Sequence, residues 1–192
     1  MRIAIDIDDT LTEVKDKILR EGLEYAHSLG KIVSQDYPHV KGYNNDGRAF
    51  KKMFNFNDKE LKYFLGPLQE KITNNAKPRK NAVEIIKKLK DDGNEIIILT
   101  ARDNEFHKNP YKMSKDWLDK NEFVYDKLIV NARNKKKICK QEKIDLLIDD
   151  NLFNCLEVKE ITQVIRISKD NSNDILTFSN WDDIYNYINK KS

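Results

Sequence analysis

The chain has 192 residues, with 35 Lys and Arg against 32 Asp and Glu and a formal net charge of +3. That balance gives a mixed-charge surface and no basic footprint for nucleic acid, while 39% hydrophobic and 9% aromatic residues are too many for a disordered chain. The length suffices to bury a core without disulfides, and no run of ~18 apolar residues offers a membrane span.

The opening stretch, MRIAIDIDDTLT, puts three aspartates where a secretory signal needs its apolar segment, so a cytoplasmic location is expected. Residues 2–8 (RIAIDID) read as a buried strand. From Thr12 to about residue 76 no good strand follows. A long helix is predicted over 13–29, with Leu23, Ala26 and Leu29 on its apolar face and Gly30 at its end. A polar loop, YPHVKGYNNDG, comes next, then shorter helical patterns near 48–54, 58–65 and 67–73. This stretch, 13–76, is read as a small helical cap inserted after the first strand. Its aromatics, Tyr43, Phe50, Phe54, Phe56, Tyr63 and Phe64, are expected to form its own core before they form a base-stacking platform.

Beyond the insert, strands alternate with helices. Residues 81–91 place Ala82, Val83, Ile85, Ile86 and Leu89 on one helical stripe, and Gly93 stops it. Strands are predicted at 95–100, 127–130, 145–148 and 163–167. Helices are predicted at 114–120, with Trp117 and Leu118, and at 134–142, with Ile138 and Cys139. Asn180 caps a last helix bearing Trp181, Ile184, Tyr185 and Ile188. The pattern is that of an α/β fold: a doubly wound, Rossmann-like parallel sheet formed by 1–12 and 77–192. Cys139 and Cys155 fall in helical segments, which fits free thiols in a reducing compartment.

Ligands of such sheets bind beyond the carboxyl ends of the strands, and the sequence loads that edge with chemistry. Asp6 and Asp8, two residues apart on an extended strand, share a face. Carboxylates so close repel unless a cation or proton intervenes, and a hard divalent ion such as Mg²⁺ suits them. Asp149 and Asp150 end the fourth strand, Thr100 ends the second, and Lys135-Lys136-Lys137 follows the third. Lys135, which opens the helix, is the preferred lysine; Lys136 and Lys137 stay open. The three histidines, His27, His39 and His107, are isolated and show no zinc spacing.

The ordered set resembles the haloacid dehalogenase superfamily of phosphohydrolases. It rests on Asp6-Ile7-Asp8-Asp9-Thr10-Leu11, Ile98-Leu99-Thr100-Ala101-Arg102, a lysine of 135–137, and Ile148-Asp149-Asp150. The wording IDIDDTLT, ILTAR and LLIDDN is most similar to bacterial nucleotidases of the cytosolic 5'(3')-deoxyribonucleotidase-like group. The resemblance implies an Mg²⁺-dependent phosphomonoesterase working through an aspartyl-phosphate on Asp6. It implies Asp8 as acid and base, with its backbone carbonyl on the metal. Asp149 is implied as a direct metal ligand and Asp150 as a further or water-mediated one. Thr100 and the lysine would hold the phosphoryl group, with help from the backbone N–H groups of Ile7 and Ala101. Asp9 stands where the family more commonly has Gly.

Arg102 is expected to contact substrate or phosphate, and the loop residues Asp46 and Arg48 are weaker candidates for substrate contact. The expected partner is a small phosphorylated metabolite, a nucleoside monophosphate or a sugar phosphate among them. Two other classes fit parts of the pattern: a phospho-accepting receiver-like domain, and an inactive metal-binding interaction module. Homo-oligomerisation is left open.

Overall fold

Isoleucine, leucine and valine dominate the segments that must be covered on both faces, and these form the sheet. In the computed structural model, which describes residues 1–33, 48–170 and 172–191, β1 (Arg2–Ile5) lies between β2 (Glu95–Leu99) and β4 (Leu146–Asp149). Ile3 is opposite Ile96 and Leu146, and Ile5 is opposite Ile98 and Ile148. With β3 (Lys127–Ile129), β5 (Gln163–Ile167) and β6 (Thr177–Phe178), the order is β3-β2-β1-β4-β5-β6, all parallel. The chain leaves β1 to one side for β2 and to the other for β4, so a crevice opens beyond their carboxyl ends.

Helices cover both faces. α5 (Ala82–Asp91), α6 (Pro110–Lys120) and α9 (Trp181–Lys191) bury Ile86, Trp117 and Trp181 against Ile3, Ile5 and Ile96. α7 (Lys135–Gln141) and α8 (Leu152–Val158) bury Cys139 and Val158 against Ala4, Ile97 and Leu147. Both cysteines are buried free thiols, and burial pushes the Cys139 thiol up to about 11.

The helical insert follows β1 as expected. It comprises α1 (Lys15–Ser28), α2 (Arg48–Met53), α3 (Asp58–Tyr63), a π-helical turn over Phe64–Leu68, and α4 (Gln69–Asn74). Ile18, Ala26, Phe54, Phe56, Phe64 and Ile72 give it an apolar cluster of its own. Phe54 and Phe64 meet edge to face at 5.5 Å, a favourable aromatic geometry. Of the aromatics expected there, Phe50, Phe54, Phe56 and Phe64 are buried, whereas Tyr63 is 48% exposed. Tyr43, His39 and Asp46 lie outside the described residues, as does the side chain of Arg48.

Three expectations need correction. Leu29 is 41% exposed, and the buried face of α1 is Ile18, Gly22 and Ala26. α6 begins at Pro110, four residues before the apolar pattern suggested, because Asn109 caps it by accepting from the Lys112 N–H at 2.9 Å. β1 ends at Ile5, not Asp8. The carbonyl of Ile7 accepts N–H groups from Thr10, Leu11 and Thr12 at 3.3, 2.9 and 3.2 Å, so the chain turns there. Asp9 sits in that turn at φ 60°, a conformation Asp tolerates better than most residues. Among the described residues no helix is long and apolar enough to cross a membrane.

Candidate active site

The candidate side chains reach the crevice from the strand ends and, for Lys135, from the start of the helix after β3. Asp6 follows β1 directly, and its N–H still donates to Ile148 O at 3.1 Å, which keeps it beside β4. Asp149 closes β4 and Asp150 follows it. Asp6, Asp149 and Asp150 each offer a carboxylate oxygen within 4.8 Å of the others. Lys135, the first residue of α7, is 2% exposed and sits between two of them. Its Nζ donates to Asp6 Oδ1 at 2.6 Å and to Asp149 Oδ2 at 2.5 Å.

Of the three lysines, then, Lys135 turns into the site. Lys136 pairs with Glu160, and Lys137 is exposed.

Electrostatics follow from that count. Fully ionised, three carboxylates against one ammonium would leave two negative charges uncompensated, and the cluster answers by holding protons. Burial raises the Asp6 carboxyl to about 7, with Asp149 and Asp8 adding to the rise and Lys135 opposing it. Burial, Asp149 and Asp6 likewise hold Asp150 well above the ordinary range. For Lys135, the attraction of Asp149 and Asp6 outweighs burial, so its ammonium is held charged. An all-oxygen donor set that, once ionised, exceeds the charge of its lysine is the kind that can hold a hard divalent cation.

Asp149 is further fixed by the Asn151 N–H on Oδ1 at 2.8 Å and by Asn154 Nδ2 at 3.2 and 3.1 Å. Thr10 ties the two acidic turns together: its Oγ1 accepts the Asp150 N–H at 3.0 Å and donates to Asp150 Oδ1 at 3.3 Å.

Asp8 takes a different partner. Its two oxygens receive Nε and Nη2 of Arg102 at 2.8 and 2.7 Å, and it is not one of the three clustered carboxylates. Burial would raise its pKa, but the charge and hydrogen bonds of Arg102 outweigh that and hold it low. Arg102, expected on the substrate, is thus spent largely on Asp8.

Thr100 is buried, and its Oγ1 accepts the Arg102 N–H at 3.3 Å. The backbone N–H groups of Ile7 and Ala101 donate to no other described residue.

Asp6, Asp8, Thr100, Ala101, Lys135 and Asp149 line one cavity of about 150 Å³. Other residues line it too, and of these the sequence had drawn attention only to Phe50, as an aromatic of the insert, and to His107, as an isolated histidine. Phe50, Leu65 and Gln69 enter from the insert, and Asp103, Phe106, His107 and Arg133 from the segments after β2 and β3. Arg133 pairs with Asp103 and with Glu105. Asn154, next to Asp149, was missed too, although the Asp149-Asp150-Asn151 run pointed to its neighbourhood.

The sequence matches no family model, and no curated protein is similar to it. Its fold is shared by solved structures. A HAD hydrolase of family IA, variant 3, from Entamoeba histolytica superposes with a TM-score of 0.70 at 16% identity, covering 95% of this chain and 94% of that one. A predicted phosphoglycolate phosphatase from Haemophilus somnus 129pt gives 0.69 at 13% identity, over 97% of each chain. A Bacillus subtilis protein assigned to the HAD hydrolases, YfnB, whose structure was bound to magnesium, gives 0.61 at 14% identity over 98% of each chain. The doubly wound sheet with its helical insert is therefore a fold this chain shares with those structures.

Proposed function

We propose that the chain is a phosphomonoester hydrolase of the haloacid dehalogenase type, acting on a small phosphorylated metabolite. One observation carries the reading most: Lys135 bridges Asp6 and Asp149 inside a buried acidic cluster at the carboxyl edge of the sheet. A structural ion pair would balance one ammonium with one carboxylate. Here three carboxyl groups meet one ammonium, more acid than a structural ion pair needs, which suits a site that handles cation and phosphate together.

Asp6 is the nucleophile in this reading. Its carboxylate attacks phosphorus, the alkoxide leaves, and an aspartyl-phosphate forms that water then hydrolyses. Lys135 keeps Asp6 oriented and offsets charge on the phosphoryl group. Thr100 Oγ1 and the N–H groups of Ile7 and Ala101 would donate to phosphoryl oxygens in this reading.

Asp8, held ionised by Arg102, is set to take a proton from the attacking water. To serve as acid for the leaving alkoxide the same carboxyl must first take up a proton from solvent, which requires Arg102 to loosen its grip; it gives that proton to the alkoxide and regains one from the attacking water. General acid–base help of this kind is worth about 10²–10⁴-fold.

Mg²⁺ fits the residues present: Asp6, Asp149 and Asp150 form an oxygen donor set that, once ionised, exceeds the charge of Lys135. When bound, it would screen the repulsion between a carboxylate nucleophile and a phosphate dianion. The cavity, at about 150 Å³, falls below the ~300 Å³ at which pockets begin to take drug-sized ligands.

The test is hydrolysis of a generic aryl phosphate with Mg²⁺, repeated after chelation and in Asp6→Asn. Activity should vanish in both while the Asp6→Asn protein stays folded. Turnover surviving in Asp6→Asn removes the nucleophile, and turnover surviving chelation removes the metal. Asp8→Asn should slow alkyl phosphates more than aryl ones, because a phenolate leaves without a proton; equal slowing rejects the acid role.

A further inference from the structure

His107 stands apart from every group used so far. It follows β2 on the segment 103–107, is 6% exposed, and lines the cavity. Its Nδ1 is buried with no hydrogen-bond partner among the described residues. The nearest acid, Glu70, keeps an oxygen 3.9 Å away, too far for a hydrogen bond. A buried polar atom left unpaired costs about 1–3 kcal/mol, and native structures keep few of them. Of the buried side-chain nitrogens and oxygens described, this is the one without a partner.

Burial and the neighbouring Arg102 hold the imidazole below its ordinary pKa, so it is a neutral ring at neutral pH. Gln69 opens α4 of the insert and lines the same cavity. Its carboxamide, too, makes no hydrogen bond with a described residue. Gly66 brings the two sides together. A Cβ at that position would lie 2.6 Å from the carbonyl oxygen of Phe106, so the insert touches the backbone one residue before His107.

The charged groups on this side are already matched. Arg102 is on Asp8, Arg133 is on Asp103 and Glu105, and Lys135 is on Asp6 and Asp149. A leaving group bearing a carboxylate finds no unpaired cation among them. A hydroxyl both donates and accepts, so it satisfies a neutral imidazole whichever nitrogen holds the proton.

Resting on the phosphohydrolase reading above, we propose that His107 is a specificity-determining residue that hydrogen-bonds a hydroxyl of the leaving group, with Gln69 as the second neutral contact. The substrate class is then a small polyol or sugar phosphate.

The experiment measures kcat/KM and melting temperature, with Mg²⁺, for the unaltered protein, His107→Leu and His107→Asn. Two substrates lack a leaving-group hydroxyl (methyl and phenyl phosphate) and two carry several (glycerol 3-phosphate and ribose 5-phosphate). Loss of one neutral hydrogen bond predicts a drop of about fivefold to tenfold. His107→Leu should show it on the hydroxyl-bearing pair, mainly through KM, and at least fivefold less on the other pair. Its melting temperature should hold or rise, since an unpaired buried polar atom is removed. His107→Asn, which keeps a donor and an acceptor, should recover part of the loss.

Equal losses on all four substrates, no loss on any, or losses that track a fall in melting temperature would each overturn the assignment. If the unaltered protein hydrolyses phenyl phosphate but neither polyol phosphate, this inference falls alone. If the folded protein hydrolyses none of the four, the phosphatase reading falls and takes this one with it.

Discussion

Arg102 grips both carboxylate oxygens of Asp8, Nε at 2.8 Å and Nη2 at 2.7 Å, from a side chain only 3% exposed. The pair joins the turn after β1 to the turn after β2 and fixes which way Asp8 faces. It also makes the guanidinium costly to remove, because Asp8, only 23% exposed, would be left without its cation.

Arg102→Gln should therefore cost about 3–5 kcal/mol of stability, the usual penalty for breaking one side of a buried pair. The double variant Arg102→Gln with Asp8→Asn should lose less than the two singles summed, since no lone charge remains. Denaturant unfolding of the four proteins measures this; additive losses would mean that the two side chains are energetically independent. Arg102→Lys should not rescue, because an ammonium cannot form the bidentate fork.

The lysine run gives a contrast within three residues. Lys135→Met leaves Asp6, Asp149 and Asp150 with no cation, and should cost about 3–5 kcal/mol in metal-free protein. Mg²⁺ should restore more stability to this variant than to the unaltered protein. Lys136→Met, which breaks a surface pair with Glu160, should stay within about 0.5 kcal/mol. Similar melting curves for the two variants would contradict the buried placement of Lys135.

How far these residues could be read from sequence depended on what kind of fact each one is. Strand cores were legible because runs such as EIIIL and LLID must be covered on both faces. β6 was not, since Thr177 and Phe178 form no apolar run. The end of β1 was overrun because Asp6, Ile7 and Asp8 alternate like a strand, while the turn depends on three N–H groups converging on one carbonyl. Lys135 was favoured from its place at the start of a helix, which is local information. The Asp8–Arg102 pair spans 94 positions, and an orphaned nitrogen on His107 exists only once its surroundings have packed. Neither leaves a signal in one sequence.

Stability without metal should fall as pH rises through the neutral range. A carboxyl whose folded pKa is raised holds a proton that the unfolded chain, near 4, has lost. Folding then takes up protons, and raising the pH opposes it. Burial puts Asp6 at about 7 and Asp9 at about 6, and raises Asp150 as well. The melting temperature in chelator should drop between about pH 5 and pH 8. Asp8 works in the opposite sense: its lowered pKa adds stability above about 4 that is lost only in stronger acid. Mg²⁺ should flatten the decline and stabilise most at the alkaline end, where the cluster is fully ionised. A metal-free curve that rises from pH 5 to pH 8 would contradict the buried acidic cluster.

The contact between insert and core can be separated from stability by choosing two glycines. At Gly66 an added methyl would sit 2.6 Å from the Phe106 carbonyl oxygen, a backbone atom that cannot swing aside. Gly66→Ala must therefore push the π-helical turn, and Gln69 just after it, away from the segment that carries His107. Overpacking of this sort costs about 1–3 kcal/mol. Gly30 ends α1 at φ 71° with nothing within 4 Å of an added methyl. Gly30→Ala costs about 1–2 kcal/mol through left-handed strain alone and moves nothing near the cavity. The two variants should lose comparable stability, yet only Gly66→Ala should raise KM for phosphate esters. Steady-state kinetics beside thermal melts decide it. If both variants raise KM alike, general loosening of the fold explains the effect; if neither does, the leaving-group end of the site does not depend on how closely the insert approaches Phe106.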